Sequence, residues 1–198
     1  MQSGPEALLP ARINKVKAKK MKKILVVLML VMAIMPVKAQ MLALKTNALM
    51  DVAMVPNIGL EIATGNKTSL CANGFVSWNI YGMKAQTYGF IPEFRYWLSG
   101  NTFSKLFLGV GATLAHYDID ISENNYNGST YGAGLNIGYD YWLSDHFSVE
   151  FHGGVGMYYY HHARTGKNDI LPENQAYNDR GWTVLPYQLG ISFVYIIK

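Results

Sequence analysis

The chain has 198 residues, half of them apolar, with 17 Lys/Arg, 13 Asp/Glu, five His and a single Cys. Its formal charge of +4 comes from one segment, because residues 1–39 hold eight Lys/Arg and only one acid, Glu6. Residues 40–198 keep nine basic and twelve acidic residues, a net of −3; that excludes the basic stripe nucleic-acid binding needs, and the lone Cys71 excludes an internal disulfide or a cysteine zinc site.

Residues 1–20 are basic and lack apolar periodicity, and they read as an extension from an upstream start. Met21 opens a second pattern. Lys22 and Lys23 precede the unbroken apolar run Ile24–Met35, Pro36 ends it, and Val37-Lys38-Ala39 places small residues before Gln40. That is the layout of a secretory signal peptide over residues 21–39. The run of 12 residues is short of the roughly 20 that a helical anchor requires. Cys71 lies far from the cleavage point, so it does not read as a lipoprotein cysteine. Residues 40–198 fit one domain. No later segment approaches 18 continuous apolar residues, so a membrane crossing would need a closed β-barrel, in which every backbone group is paired.

Period-2 alternation, the strand signal, then recurs along the chain. The first segment sets Leu42, Leu44, Thr46, Ala48, Met50 and Val52 against Lys45, Asn47 and Asp51. After Pro56-Asn57, the residues Ile58, Leu60 and Ile62 oppose Gly59 and Glu61. A third strand, about 69–79, sets Leu70, Ala72, Val76 and Trp78 against Asn73 and Ser77. In the fourth, Phe90, Phe94, Tyr96 and Leu98 alternate with Ile91, Glu93, Arg95 and Trp97, and Pro92 weakens the ladder locally. The fifth sets Leu106, Leu108, Val110, Ala112 and Leu114 against Phe107, Gly109, Gly111 and Thr113. The sixth sets Ala133, Leu135, Ile137, Tyr139 and Tyr141 against Gly134, Asn136, Gly138 and Asp140. The seventh sets Phe147, Val149, Phe151, Val155 and Met157 against Glu150, His152, Gly154 and Gly156. The eighth carries Leu185, Tyr187, Leu189, Ile191, Phe193, Tyr195 and Ile197 on one face and Gln188, Gly190 and Ser192 on the other.

The fold class is therefore all-β, an eight-stranded antiparallel up-and-down barrel. The connections alternate in length. Those at 65–68, 99–105 and 144–146 are short, and those at 80–87, 122–130 and 166–183 are longer. Outer-membrane barrels pair short periplasmic turns with long extracellular loops, which would put both termini in the periplasm. One face of every strand is almost purely apolar, and the other collects the charges and many glycines. That suits a greasy exterior and a polar lumen, with Trp78, Tyr96, Tyr139, Tyr141, Tyr159, Tyr187 and Tyr195 as outward girdle aromatics. A soluble sheet with one face on a core alternates in the same way.

Several stretches carry a family resemblance: Leu44-Lys45-Thr46-Asn47, Pro56-Asn57-Ile58-Gly59-Leu60-Glu61, Pro92-Glu93-Phe94-Arg95-Tyr96-Trp97-Leu98, Gly138-Tyr139, Glu150-Phe151 and Leu189-Gly190-Ile191-Ser192-Phe193-Val194-Tyr195. On these the chain resembles a family of uncharacterised outer-membrane proteins of Bacteroidetes-type bacteria, catalogued as a domain of unknown function. The resemblance implies a small OmpA-type barrel, and a link to fimbrial or cell-envelope genes, and it brings no catalytic residues. The chain departs from the usual assembly-signal strand by ending in Lys198 in place of an aromatic residue.

The inward charges Lys45, Glu61, Glu93, Arg95 and Glu150 are the first candidate site. An eight-stranded barrel is just wide enough for side chains to fill it, and buried charges must pair. They are expected to form a lumen ion-pair network that plugs the barrel; a switchable gate is the alternative. Glu150, His152 and Ser192 invite a hydrolase reading, but only geometry makes a triad. His116, Asp118, Asp120, His161 and His162 near strand tops read as a solvated rim, because no recognised metal-ligand spacing is present. The expectation is a non-enzymatic outer-membrane protein with no cofactor and no metal. Its partners would be outer-membrane lipid and lipopolysaccharide, the barrel-assembly machinery and envelope or surface proteins, met through the polar loops 122–130 and 166–181. A narrow solute channel and a lipid-modifying barrel enzyme are the competing functions.

Overall fold

The computed structural model describes residues 41–122, 124–166 and 179–197. These lie in one compact unit, Ala39–Lys198. The expected start extension (1–20) and signal peptide (21–39) lie outside the described residues.

Eight strands follow in order: β1 (Leu42–Asn47), β2 (Asn57–Ala63), β3 (Thr68–Ile80), β4 (Met83–Trp97), β5 (Lys105–Ile121), β6 (Asn124–Trp142), β7 (Phe147–Gly166) and β8 (Asp179–Ile197). Each pairs antiparallel with the next, and β1 pairs with β8, so the sheet closes on itself as a barrel. Closure leaves no strand edge exposed to another chain where the pairing is complete. The inward and outward phases of the sequence hold on nearly every strand. Trp97, Phe107, Glu61, Glu93, Arg95, Asp140 and Glu150 are buried inside, while Leu108, Val110, Leu135, Ile137, Phe151 and Phe193 stand exposed outside.

Four details depart from expectation. First, the opening strand stops at Asn47. The side-chain oxygen of Asn47 accepts from the backbone N–H of Leu49 at 3.0 Å and of Met50 at 3.4 Å, capping a short helix, α1 (Ala48–Val52). This N-cap outcompetes the strand alternation of Ala48, Met50 and Val52. Asp51 consequently lies outside the barrel, where Thr46 Oγ1 donates to it at 2.7 Å and Asn57 Nδ2 at 2.9 Å.

Second, two of the expected loops are mostly strand. β3 and β4 are joined by Tyr81 and Gly82 alone, both at positive φ (48° and 85°). That is the two-residue hairpin geometry whose twist matches the flanking strands. Likewise β6 already begins at Asn124, and Asp118 pairs with Asn127 across the ladder. The polar composition of 122–130 marks strand that faces water, not irregular chain. Of the expected loop 166–181, Gly166 closes β7 and Asp179–Gly181 open β8, and residues 167–178 lie outside the described residues.

Third, the register of β8 against β7 shifts between Gly153↔Leu189 and Val155↔Pro186. One extra residue on β8 makes a β-bulge, a position that also tolerates Pro186. Above the bulge the phase reverses. Tyr187 is therefore 4% exposed and inside, not on the outer girdle, and Leu185 shares its phase.

Fourth, the connection 98–104 is not a plain turn. Phe103, at φ 56°, folds back beneath the barrel with no exposed surface, beside a buried Thr102. The indole N–H of Trp142 donates to the Phe103 carbonyl. Phe103 packs with Trp97, Phe107, Ala43, Ala63, Val194 and Ile196 into an apolar cluster that fills the terminal end.

Candidate functional site: the barrel lumen

The five inward charges of the sequence meet directly above that apolar cluster, and none is more than 6% exposed. Lys45 comes from β1, Glu61 from β2, Glu93 and Arg95 from β4, and Glu150 from β7. Inward phase brings them to one level from different walls. Lys45 Nζ contacts Glu61 Oε2, and Glu150 Oε2 at 2.5 Å. Arg95 Nη1 contacts the same two oxygens at 2.9 and 2.8 Å. Two cations and two carboxylates thus alternate in a ring. Arg95 Nε also holds Glu93 Oε1 at 2.5 Å, and its guanidinium lies 4.3 Å from the centre of the Phe107 ring below.

The outer oxygens of these carboxylates differ. Glu61 Oε1 accepts from Ser69 Oγ at 2.5 Å, and that hydroxyl accepts from Trp97 Nε1 at 2.8 Å. Glu93 Oε2 accepts from Gln188 Nε2 at 2.8 Å, reached through the β8 bulge, and from Asn136 Nδ2 at 3.3 Å. Glu150 Oε1 accepts no hydrogen bond from the described residues. Gly109 makes room for Glu93. A Cβ there would lie 2.7 Å from Glu93 Oε1 and 2.8 Å from its Cδ. Cys71 is buried among these charges with its thiol free. Asp140, lower in the lumen, accepts from Ser148 Oγ at 2.8 Å.

His152 and Ser192 do come together, with Nε2 3.0 Å from Oγ. Among the described residues no acid supplies the third member of a triad. Glu150 Oε2 is held by Lys45 and Arg95, and His152 Nδ1 has no partner among the described residues. A hydrolytic triad needs an acid orienting that nitrogen.

Above the ring the lumen opens into a cavity of about 430 Å³. Phe75, Ile91, Tyr158, Leu185 and Tyr187 line its sides, and Arg95, Lys45, Glu150, His152 and Ser192 line its floor. Alternation had marked the charges but not this apolar vestibule. Its aromatics sit on inward phases that otherwise carry small or polar residues, and Tyr187 owes its place to the bulge.

At the distal end the polar rim residues spread over several partners. Lys84 Nζ donates to Asp118 Oδ2 at 2.9 Å, and Asn125 Nδ2 bridges Asp118 at 2.7 Å and Asp120 at 2.6 Å. Partial burial raises the Asp118 carboxyl, but the hydrogen bonds from Lys84 and Asn125 outweigh it and hold the group below its ordinary value. His116 Nδ1 lies 3.1 Å from Ser129 Oγ, and His162 Nδ1 lies 2.8 Å from the Tyr117 hydroxyl. Among the described residues no three His, Cys, Asp or Glu side chains gather with the geometry of a metal site.

A family model described as a protein of unknown function (DUF3575) matches residues 24–197. Searches of curated proteins and of solved structures return no match.

Proposed function

Since the chain belongs to this family of unknown function, whose description assigns no activity, we propose a role from geometry: a non-enzymatic outer-membrane barrel of the OmpA-like type, anchored in lipid with its lumen closed. The observation that carries the reading is the outer surface. On β6 the outward side chains from Tyr141 to Tyr131 are aromatic or apolar throughout, and beyond Tyr131 they become Ser129, Asn127 and Asn125. On β5 the outward run Leu106–Leu114 gives way to His116, Asp118 and Asp120. Aromatic residues ring both borders: Tyr88, Tyr131, Tyr159 and Trp182 distally, and Tyr96, Tyr139, Tyr141 and Tyr195 near the termini. Ten residue steps of strand rise about 33 Å, or about 25 Å along the axis at a tilt of about 40°, which matches the apolar band of outer-membrane barrels. Soluble monomers rarely expose a continuous apolar belt of this kind.

The interior supports a closed lumen. The apolar cluster around Phe103 and the ion-pair ring above it occupy the terminal half of the barrel. A conducting path would have to cross both. The distal strand extensions, polar outside, are the surfaces available to envelope or surface partners. Export through a signal peptide at 21–39 belongs to the same proposal.

The reading is tested on outer-membrane preparations and on refolded protein by gel migration. The unboiled barrel should run faster than the boiled chain and should fractionate with outer membrane. Identical migration with and without heating, or recovery as a soluble protein, contradicts the proposal.

A further inference from the structure

We propose that the upper lumen holds an acyl chain of a membrane lipid, admitted through the side of the barrel past α1. The inference rests on the lipid-anchored reading above, because the chain must come from the surrounding bilayer.

The first observation is a break in the barrel wall. β1 pairs with β8 only as far as Asn47↔Ser192, and β2 pairs with β3 only as far as Asn57↔Phe75. Beyond those pairs β8 runs on to Asp179 and β3 to Ile80, with no strand between them among the described residues. Trp182, Val184 and Leu189, which point outward along this part of β8, are exposed and apolar, so the break lies within the lipid belt. A bare strand edge is not tolerated in lipid, and α1 packs against β8 there. Asn47 Nδ2 donates to the Leu189 carbonyl at 3.1 Å, and the Tyr81 hydroxyl donates to the Val52 carbonyl at 2.7 Å.

The second observation is that α1 is a thin cover. It has five residues, and none of them is buried. Leu49 and Val52, with Met54 just beyond the helix, are exposed apolar side chains, while Met50 lines the cavity. An element with few buried contacts opens at low free-energy cost.

The third is the cavity behind it. Leu185 lies on an inward phase and lines the cavity, yet it is 49% exposed. Phe75 and Met50, also in the lining, are half-buried. These side chains give the cavity accessible apolar surface. The floor offers no competing charge, because Lys45 and Arg95 are both engaged by Glu61 and Glu150, and Arg95 also by Glu93. Selection is therefore by apolarity and not by the charge of a head group. A chain that leaves the bilayer for this space stays out of water, and it gains contact with a lining that otherwise faces a void or poorly bonded water. The volume, about 430 Å³, falls in the range of small-ligand pockets.

The test is photo-crosslinking of the refolded barrel in nanodiscs of phosphatidylcholine carrying a diazirine near the end of one acyl chain, with adducts mapped by mass spectrometry. Outward residues such as Leu135 and Phe151 should be labelled by the surrounding lipid, and inward Phe75 and Leu185 should be labelled as well. Ala115→Trp, which fills the cavity from β5, should remove the inward adducts and keep the outward ones. Tyr81→Phe, which frees α1 from one hydrogen bond, should raise the inward yield at least about twofold. Each variant is first checked for heat-modifiable migration, so loss of the fold is separated from loss of the site. Outward adducts alone, inward adducts undiminished in Ala115→Trp, or a yield unchanged in Tyr81→Phe would each overturn the proposal. The absence of adducts on either face would overturn the lipid-anchored reading together with it, so the two failures are told apart.

Discussion

Lys45 touches both Glu61 and Glu150, so its loss removes one of the two cations those buried carboxylates share and leaves both to Arg95. Breaking a buried pair from one side typically costs about 3–5 kcal/mol, because the remaining charge is left unsolvated. Lys45→Ala should therefore lower the unfolding free energy of the refolded barrel by that amount in urea titrations. A loss under about 1 kcal/mol, the value of an exposed pair, would mean that water reaches the ring. At this scale the sequence was informative for a simple reason. Side chains alternate across a strand, so a Lys, Glu or Arg within an apolar alternation had one face left to occupy. What alternation could not supply was the level of each residue around the barrel and the partner of each oxygen. Glu93 Oε2 meets Gln188 only because of a bulge, and nothing local in Pro186-Tyr187-Gln188 announces one beyond the proline itself.

The elements depart from the sequence reading where side chains act on backbone. Asn47 ends β1 by capping α1, and a polar residue within an alternating run carried no sign of which bond it would choose. The distal segments read as loops because Asn, Ser, Thr and Gly dominate them, yet they pair as strands whose outer faces are wet. Tyr81-Gly82 makes a two-residue turn with a tyrosine where asparagine or glycine is usual. The connection containing Phe103 has the largest consequence. A lone phenylalanine among Ser, Asn and Thr reads as surface turn, but here it seals the terminal end. Phe103→Ala should cost about 3–5 kcal/mol, as for other buried aromatics, by the same urea titration. A change within about 0.5 kcal/mol would place the residue at the surface.

For the whole molecule, the closed eight-stranded topology was legible from the number and spacing of alternating segments. The membrane assignment was not, since a soluble sheet alternates in the same way. The structure adds the height of the apolar belt and its aromatic borders. Leu135 stands exposed on β6 near the middle of that belt. Leu135→Arg should destabilise the barrel in bilayers by about 2–4 kcal/mol. In a soluble protein an exposed leucine at this position would accept arginine within about 0.5 kcal/mol. The central claim joins both faces of the wall: lipid outside, and inside an apolar cluster beneath a ring of ion pairs. Single-channel recording in planar bilayers tests it most directly, on protein whose insertion is verified by heat-modifiable migration. The account predicts inserted barrels with no discrete openings; clear, reproducible openings from the unaltered protein would contradict it.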